Sequence, residues 1–157
     1  MKKITVNKKE YTLTFSIEAS LYNECTISVM DMFMKGGMIE GSAENNDVND
    51  VMENLMVTIA DIPRKALTLF YASLLEFHGI EGDKSIKSIH DAKMLLADYI
   101  TENKKSFRDV FGEMMNLMAD DSFFDLIGLN QITKDLEENS EGSDGANTSE
   151  TPSSPII

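Results

Sequence analysis

The sequence has one cysteine, two histidines and only 14 basic residues against 27 acidic ones. Each scarcity removes a class of protein. Cys25 has no second cysteine to pair with, so no intramolecular disulfide forms and nothing calls for an oxidising compartment. No run approaches the roughly 18 apolar residues that a membrane span needs. The lysines near the start are not followed by the apolar core of a secretory signal. The expectation is a soluble, cytoplasmic protein with no membrane partner.

Reactive motifs are equally scarce. His78 and His90 have no cysteine or second carboxylate at ligand spacing, so each reads as a surface or helix-end residue and not as a zinc ligand. The Gly36-Gly37 pair lacks the downstream Gly-Lys-Ser/Thr of a phosphate loop, and no Gly-x-Ser-x-Gly announces a serine nucleophile. The acidic stretch "ENNDVNDVME" lacks the central glycine and the final glutamate of a calcium loop. Cys25 falls on an apolar face with no basic neighbour, which suits a packed thiol. Neither catalysis nor a cofactor or metal is expected.

What is present begins with charge. The formal net charge is −13, yet residues 1–10 hold four lysines and one acid, so residues 11–157 carry −16. Such a field opposes nucleic-acid phosphates and favours basic partners. It also keeps a protein soluble and apart from its own copies, and that plain reading stands beside a basic partner or mimicry of nucleic acid.

The opening "ITVNKKEYTLTFSIEASLY" reads as two short strands, 4–6 and 11–15, rich in the residue types that fill a pleated surface. Their link is either a two-residue Asn7-Lys8 turn or a longer loop across 7–10. Ile4, Val6 and one side of 11–15 must lie on the helices, because an isolated hairpin is marginal in water. A first helix is expected over 17–34, capped by Ser16 and ended by Gly36-Gly37. A second begins near Asp47, with Val48, Val51, Met52, Leu55, Met56 and Ile59 in one stripe. Asp61-Ile62-Pro63 then breaks and restarts the chain. The third helix, with Leu67, Phe70, Tyr71, Leu74 and Leu75 inward, stops at Gly79. A fourth spans about 86–103, with Ile89, Leu96 and Ile100 on one side and Leu95 and Tyr99 beside them. Ser106 and Asp109 have capping-box spacing for a fifth helix, whose buried stripe is Phe107, Val110, Phe111, Met114 and Met118. Ser122 and Asp125 repeat that spacing before a short element ending at Gly128. From Glu137 the chain has five acids, no base and no aromatic residue, the composition of a disordered tail. The expected fold is α+β and mostly helical. One domain over 1–136 has a hairpin (3–15) packed on about five amphipathic helices (17–130), followed by a disordered acidic tail over 137–157.

Eleven methionines stand out, grouped as Met30, Met32, Met34 and Met38, and as Met114, Met115 and Met118. Methionine is flexible and polarizable, suited to surfaces that accept varied partners. Met52, Met56 and Met114 read as core filling. Met30, Met32 and Met34 alternate along a helix and cannot all enter one core stripe, so at least one is exposed or meets a second surface. Phe123, Phe124, Leu126 and Ile127 present four large apolar side chains in five residues, either a docking patch or the last helix closing the core. The candidate partner-binding residues are therefore Met30, Met32, Met34, Met38, Met115, Met118, Phe123, Phe124, Leu126 and Ile127.

The basic hairpin running straight into a helix, the succession of amphipathic helices and the acidic end together resemble the tail assembly chaperones of long-tailed bacteriophages, especially those of Gram-positive hosts. The resemblance covers about residues 1–130 and departs at Lys8, where a glycine would be expected. It implies a non-catalytic protein of the host bacterial cytoplasm, absent from the mature virion. Such a chaperone binds the long helical tape measure protein and keeps it soluble before the tail tube polymerises around it. Many of the family also have a longer, frameshifted form whose extension recruits the tail tube protein; the region after Glu137 is where that junction would lie. Homo-oligomers are compatible with such a role. Two other functions fit the composition: an acidic DNA-mimic inhibitor of a basic nucleic-acid-binding protein, and a structural connector of the virion.

Overall fold

The computed structural model describes residues 1–41, 48–132 and 134–135, with the side chains at 36–41 and 48–58 outside that description. The fold is mostly helical with an N-terminal two-stranded antiparallel hairpin, as expected. Strands β1 (Lys2–Val6) and β2 (Lys9–Leu13) pair in the register Lys2↔Leu13, Ile4↔Tyr11, Val6↔Lys9. Only Asn7 and Lys8 lie between them, with φ of 51° and 64°. The chain thus takes the two-residue turn with both central residues left-handed, the type that matches strand twist. Ile4 and Val6 point inward while Lys3 and Thr5 face solvent, the alternation a one-sided sheet requires.

The helices depart from expectation in several places. The first helical run is split: α1 (Ile17–Leu21) ends at Tyr22, whose ψ of 100° is extended, and α2 resumes over Asn23–Gly41. Tyr22 packs its ring edge-on to Tyr71 at 5.2 Å, and Thr26 Oγ1 donates to the Ser20 carbonyl exposed near the break. Ser16 makes no cap bond; its hydroxyl donates to Glu76 instead. Gly36-Gly37 does not end α2, since two glycines weaken a helix by about 1 kcal/mol each without forbidding its geometry.

The second and third expected helices are one, α3 (Val48–His78), with Pro63 in its interior. Proline there removes the bond to the Ile59 carbonyl and costs about 3 kcal/mol. Burial of Ala66, Leu69, Phe70, Ala72 and Leu74 on the same helix outweighs that. The expected stop at Gly79 holds. Asp83 N and Ile86 N donate to the carbonyls of Phe77 and His78, closing the helix end. A Cβ at Gly82 would come within 2.3 Å of the Phe77 carbonyl, so only glycine fits that closure.

Helix α4 (Ile89–Asn103) starts three residues later than expected, because Ser88 and Asp91 form a reciprocal capping box. Ile89 is consequently a first-turn residue in solvent, while Leu95, Leu96 and Tyr99 are buried. Helix α5 (Phe107–Asp120) has the expected Ser106–Asp109 box, and the shorter aspartate still reaches Ser106 N at 2.7 Å. Phe107 is exposed rather than in the stripe, with Val110, Met114 and Met118 buried below it. Ser122 does not cap α6 (Phe123–Leu126): its φ of 56° is not the extended backbone that a cap needs. Gly128, at φ 75°, ends that element as expected, and the chain is helical again over 129–132. The expected tail over 137–157 lies outside the described residues.

Helix α3 is the spine, packing against β2, α1, α2, α4 and α5. Val6, Leu13 and Phe15 of the hairpin segment are buried on this body, with Phe15 against Phe123 at 5.2 Å between ring centres. Polar groups fasten the rest. Thr14 N donates to the Ser73 carbonyl on α3. Asp121 accepts from Phe15 N (2.8 Å) and Thr14 Oγ1 (2.9 Å) and pairs with the N-terminal amine. Glu113 accepts from Lys2 and from the Tyr99 hydroxyl, both at 2.9 Å, and from Lys105. The turn reaches acidic α4 through Asn7, which donates to Asp98 and Glu102; Lys9 lies over the Tyr11 ring.

His78 sits at a helix end as expected but is buried, not at the surface. Its Nε2 accepts from Thr12 N at 2.9 Å, which leaves Nδ1 to carry the proton toward Asp83 at 3.0 Å. Burial pushes the Glu113 carboxyl up, but the bonds from Lys105, Lys2 and Tyr99 outweigh it and leave it below the usual range. Asp121 is lowered in the same way, burial being outweighed by the N-terminal amine, Phe15 N and Thr14. Ser85 and His78 hold Asp83 down to about 2.

Two outcomes follow. A carboxyl whose folded pKa is depressed stabilises the fold above its unfolded pKa, and that stabilisation is lost as pH falls through the folded value. Melting temperature in acid should therefore fall between about pH 4 and about pH 2, and Asp83→Asn should flatten part of that drop in a pH series of thermal melts. Lys8→Gly should raise stability by about 0.5–1 kcal/mol by removing a left-handed lysine, measured by urea denaturation.

Candidate functional site

A surface for a partner must be apolar, accessible and contiguous, and the candidates divide sharply on the second requirement. On α2 the buried stripe is Cys25, Val29 and half-buried Met32, spaced four and three residues apart on one helix face. Met30 lies beside that stripe, half-buried. Met34 points outward and is 64% exposed, so the methionine run does divide between core and surface as its spacing demands. Met38 lies outside the described side chains.

The second group divides likewise. Met118 and Phe123 are fully buried and belong to the core. Met115 and Ile127 are half-buried against it. Phe124 is half-buried, and Leu126 is 49% exposed on the outer side of α6.

The fold joins the two groups. Phe33 of α2 meets Phe124 of α6 edge-to-face, 5.6 Å between ring centres. That contact sets the exposed Phe33 against α6 at Phe124, and the same two helices expose Met34 and Leu126. Phe33 was not among the residues singled out from the sequence. One residue beyond Met32 on a helix, it turns about 100° from the core stripe, and this rotation was the available signal. Ile17, Leu21 and Ile27 add further exposed apolar side chains on α1 and α2.

The chemistry around this surface is quiet. Asp31 on α2 is held low by hydrogen bonds from Lys65 (2.8 Å) and Lys35 (3.1 Å). Burial pushes the Cys25 thiol up to about 12, far from a thiolate at neutral pH. Among the described residues no group of three His, Cys, Asp or Glu side chains could hold a metal ion, and no buried side-chain nitrogen or oxygen lacks a partner. The arrangement offers contact area, with the exposed Asp125 between Phe124 and Leu126 on α6. Among the described residues no helix is long and apolar enough to cross a membrane. No family model, curated protein or solved structure matches the chain.

Core and surface roles separate by mutation. Phe123→Ala should cost about 3–5 kcal/mol by opening a cavity beside Phe15, whereas Leu126→Ala should stay within about 0.5 kcal/mol. Chemical denaturation of the two variants measures both.

Proposed function

We propose that this chain is a tail assembly chaperone that binds the tape measure protein of a long-tailed bacteriophage and keeps it soluble, without catalysis. The observation that carries this reading is the Phe33–Phe124 contact, which joins α2 and α6 where each also exposes a large apolar side chain, Met34 and Leu126, on a body of net charge −13. The sequence resemblance supplies the partner: a long amphipathic helix whose apolar stripe would aggregate alone. Thioether and aromatic side chains adapt to a varied stripe, and a helix laid on an apolar face is a common mode of peptide recognition. The acidic surroundings keep the complex dispersed and draw the basic flanks of such a helix. The site of action would be the host cytoplasm, with release before the virion is complete, and a longer form would bring in the tail tube protein.

Co-expression with the longest helix-rich protein encoded beside this chain is the test. The reading requires that the partner be insoluble alone and co-purify as a soluble complex. Phe33→Ser with Leu126→Ser should then abolish the rescue while the variant itself stays folded by circular dichroism. A partner that is soluble without help, or insoluble despite it, sinks the proposal.

A further inference from the structure

A second apolar surface lies in a groove of about 400 Å³ between α3, α4 and the start of α5, and Arg64 at its edge also borders the pocket between α2 and α3. Its floor is Pro63, Leu67, Leu96, Ala97 and Phe107, with almost no polar surface among them. Its only charged lining residues are cations, Arg64 and Lys93, both exposed. Neither has an ion-pair partner among the described residues. In a chain with almost twice as many acids as bases, that is a local inversion of sign.

The groove's lining on α3 runs from Pro63 to Leu67, about one helical turn, and the apolar row of α3 continues past it. Ile59, Pro63 and Leu67 fall at i, i+4 and i+8 along α3, and Ile59 remains exposed beyond the enclosed part. Eight residues of helix span about 12 Å, a little over two turns. Both long walls are helices, whose side-chain ridges leave grooves that the ridges of a third helix fit. Phe107, exposed at the first position of α5, provides an aromatic contact at one end.

We infer that this groove docks an acidic amphipathic helix of another protein, its aliphatic side chains on the Leu67–Leu96 floor and its carboxylates on Arg64 and Lys93. This assignment is independent of the chaperone reading, whose surface lies on α2 and α6. Charge complementarity selects the occupant: the chain's general field attracts basic ligands, and only an acidic one gains from this rim.

The probe is a fluorescein-labelled 15-residue helical peptide with leucines at i, i+3, i+4 and i+7 and glutamates flanking them, titrated with the full chain by fluorescence anisotropy. A peptide with lysine in place of each glutamate is the control. The acidic peptide should bind, weaken with added salt, and lose about tenfold or more in affinity to the Arg64→Glu, Lys93→Glu double variant. Phe33→Ser with Leu126→Ser should leave its affinity unchanged. Both cations are solvent-facing, so the double variant should keep its melting temperature. No binding of the acidic peptide, tighter binding of the lysine control, or affinity indifferent to the double substitution overturns the assignment. So does a monomer mass produced from a larger species by Arg64→Glu, Lys93→Glu, since the occupant would then be a second copy. Tighter peptide binding after Gln and Asn replace the five acids of 137–157 also overturns it, because the chain's own tail would be the competitor.

Discussion

Everything in this fold leans on the attachment of a hairpin too small to stand alone. Two strands of five residues cannot bury enough surface on their own, so β1 and β2 persist only because Val6, Leu13 and Phe15 enter the helical core. That burial brings backbone groups to the hairpin's unpaired side, and each needs a partner away from water. Thr12 N finds His78, Thr14 N finds Ser73 and Phe15 N finds Asp121. The end of α3 and the end of α5 are thereby fixed to one strand. The basic character of the opening segment has its use here: Lys2 meets Glu113 in a half-buried position where a carboxylate alone would be costly.

Local rules carried the reading of the sequence as far as they reach. The two-period pattern of Ile4 and Val6, the Ser106–Asp109 box and the stop at Gly79 are short-range features, and all three hold. The failures are tertiary. A proline at position 63 reads as a break because an isolated helix would break there, but α3 buries a continuous face against five other elements and tolerates the lost bond. Tyr22 reads as mid-helix and is instead the point where the chain bends to set its ring on Tyr71. His78, read as a surface or helix-end residue, does end α3 but is buried, because its neighbours Thr12 and Tyr11 come from 66 residues away or more.

The candidate surface was legible in kind but not in extent. Helical spacing alone separates Met34 from Met32, because two residues on a helix face different ways. It does not show that Phe123 faces inward while Leu126, three residues on, faces out, because a four-residue helix has no repeat to read. Nor does it bring Phe33 to Phe124, which are separated by three intervening helices.

Charge arrangement explains how one chain can expose apolar surface and remain dispersed. Lys2 and Lys105 neutralise Glu113, and Lys35 and Lys65 neutralise Asp31, so four of the 14 bases are spent on two carboxylates. The outward field is left more acidic than composition alone would make it. Two copies approaching one another each carry a net charge of −13, and this repulsion acts over about 10 Å at moderate salt. Hydrophobic contact between copies gains roughly 25 cal/mol per Å², so a small patch yields little against that opposition. Around Arg64 and Lys93 the sign is reversed, and a ligand offering both carboxylates and aliphatic side chains satisfies that groove where a basic one does not.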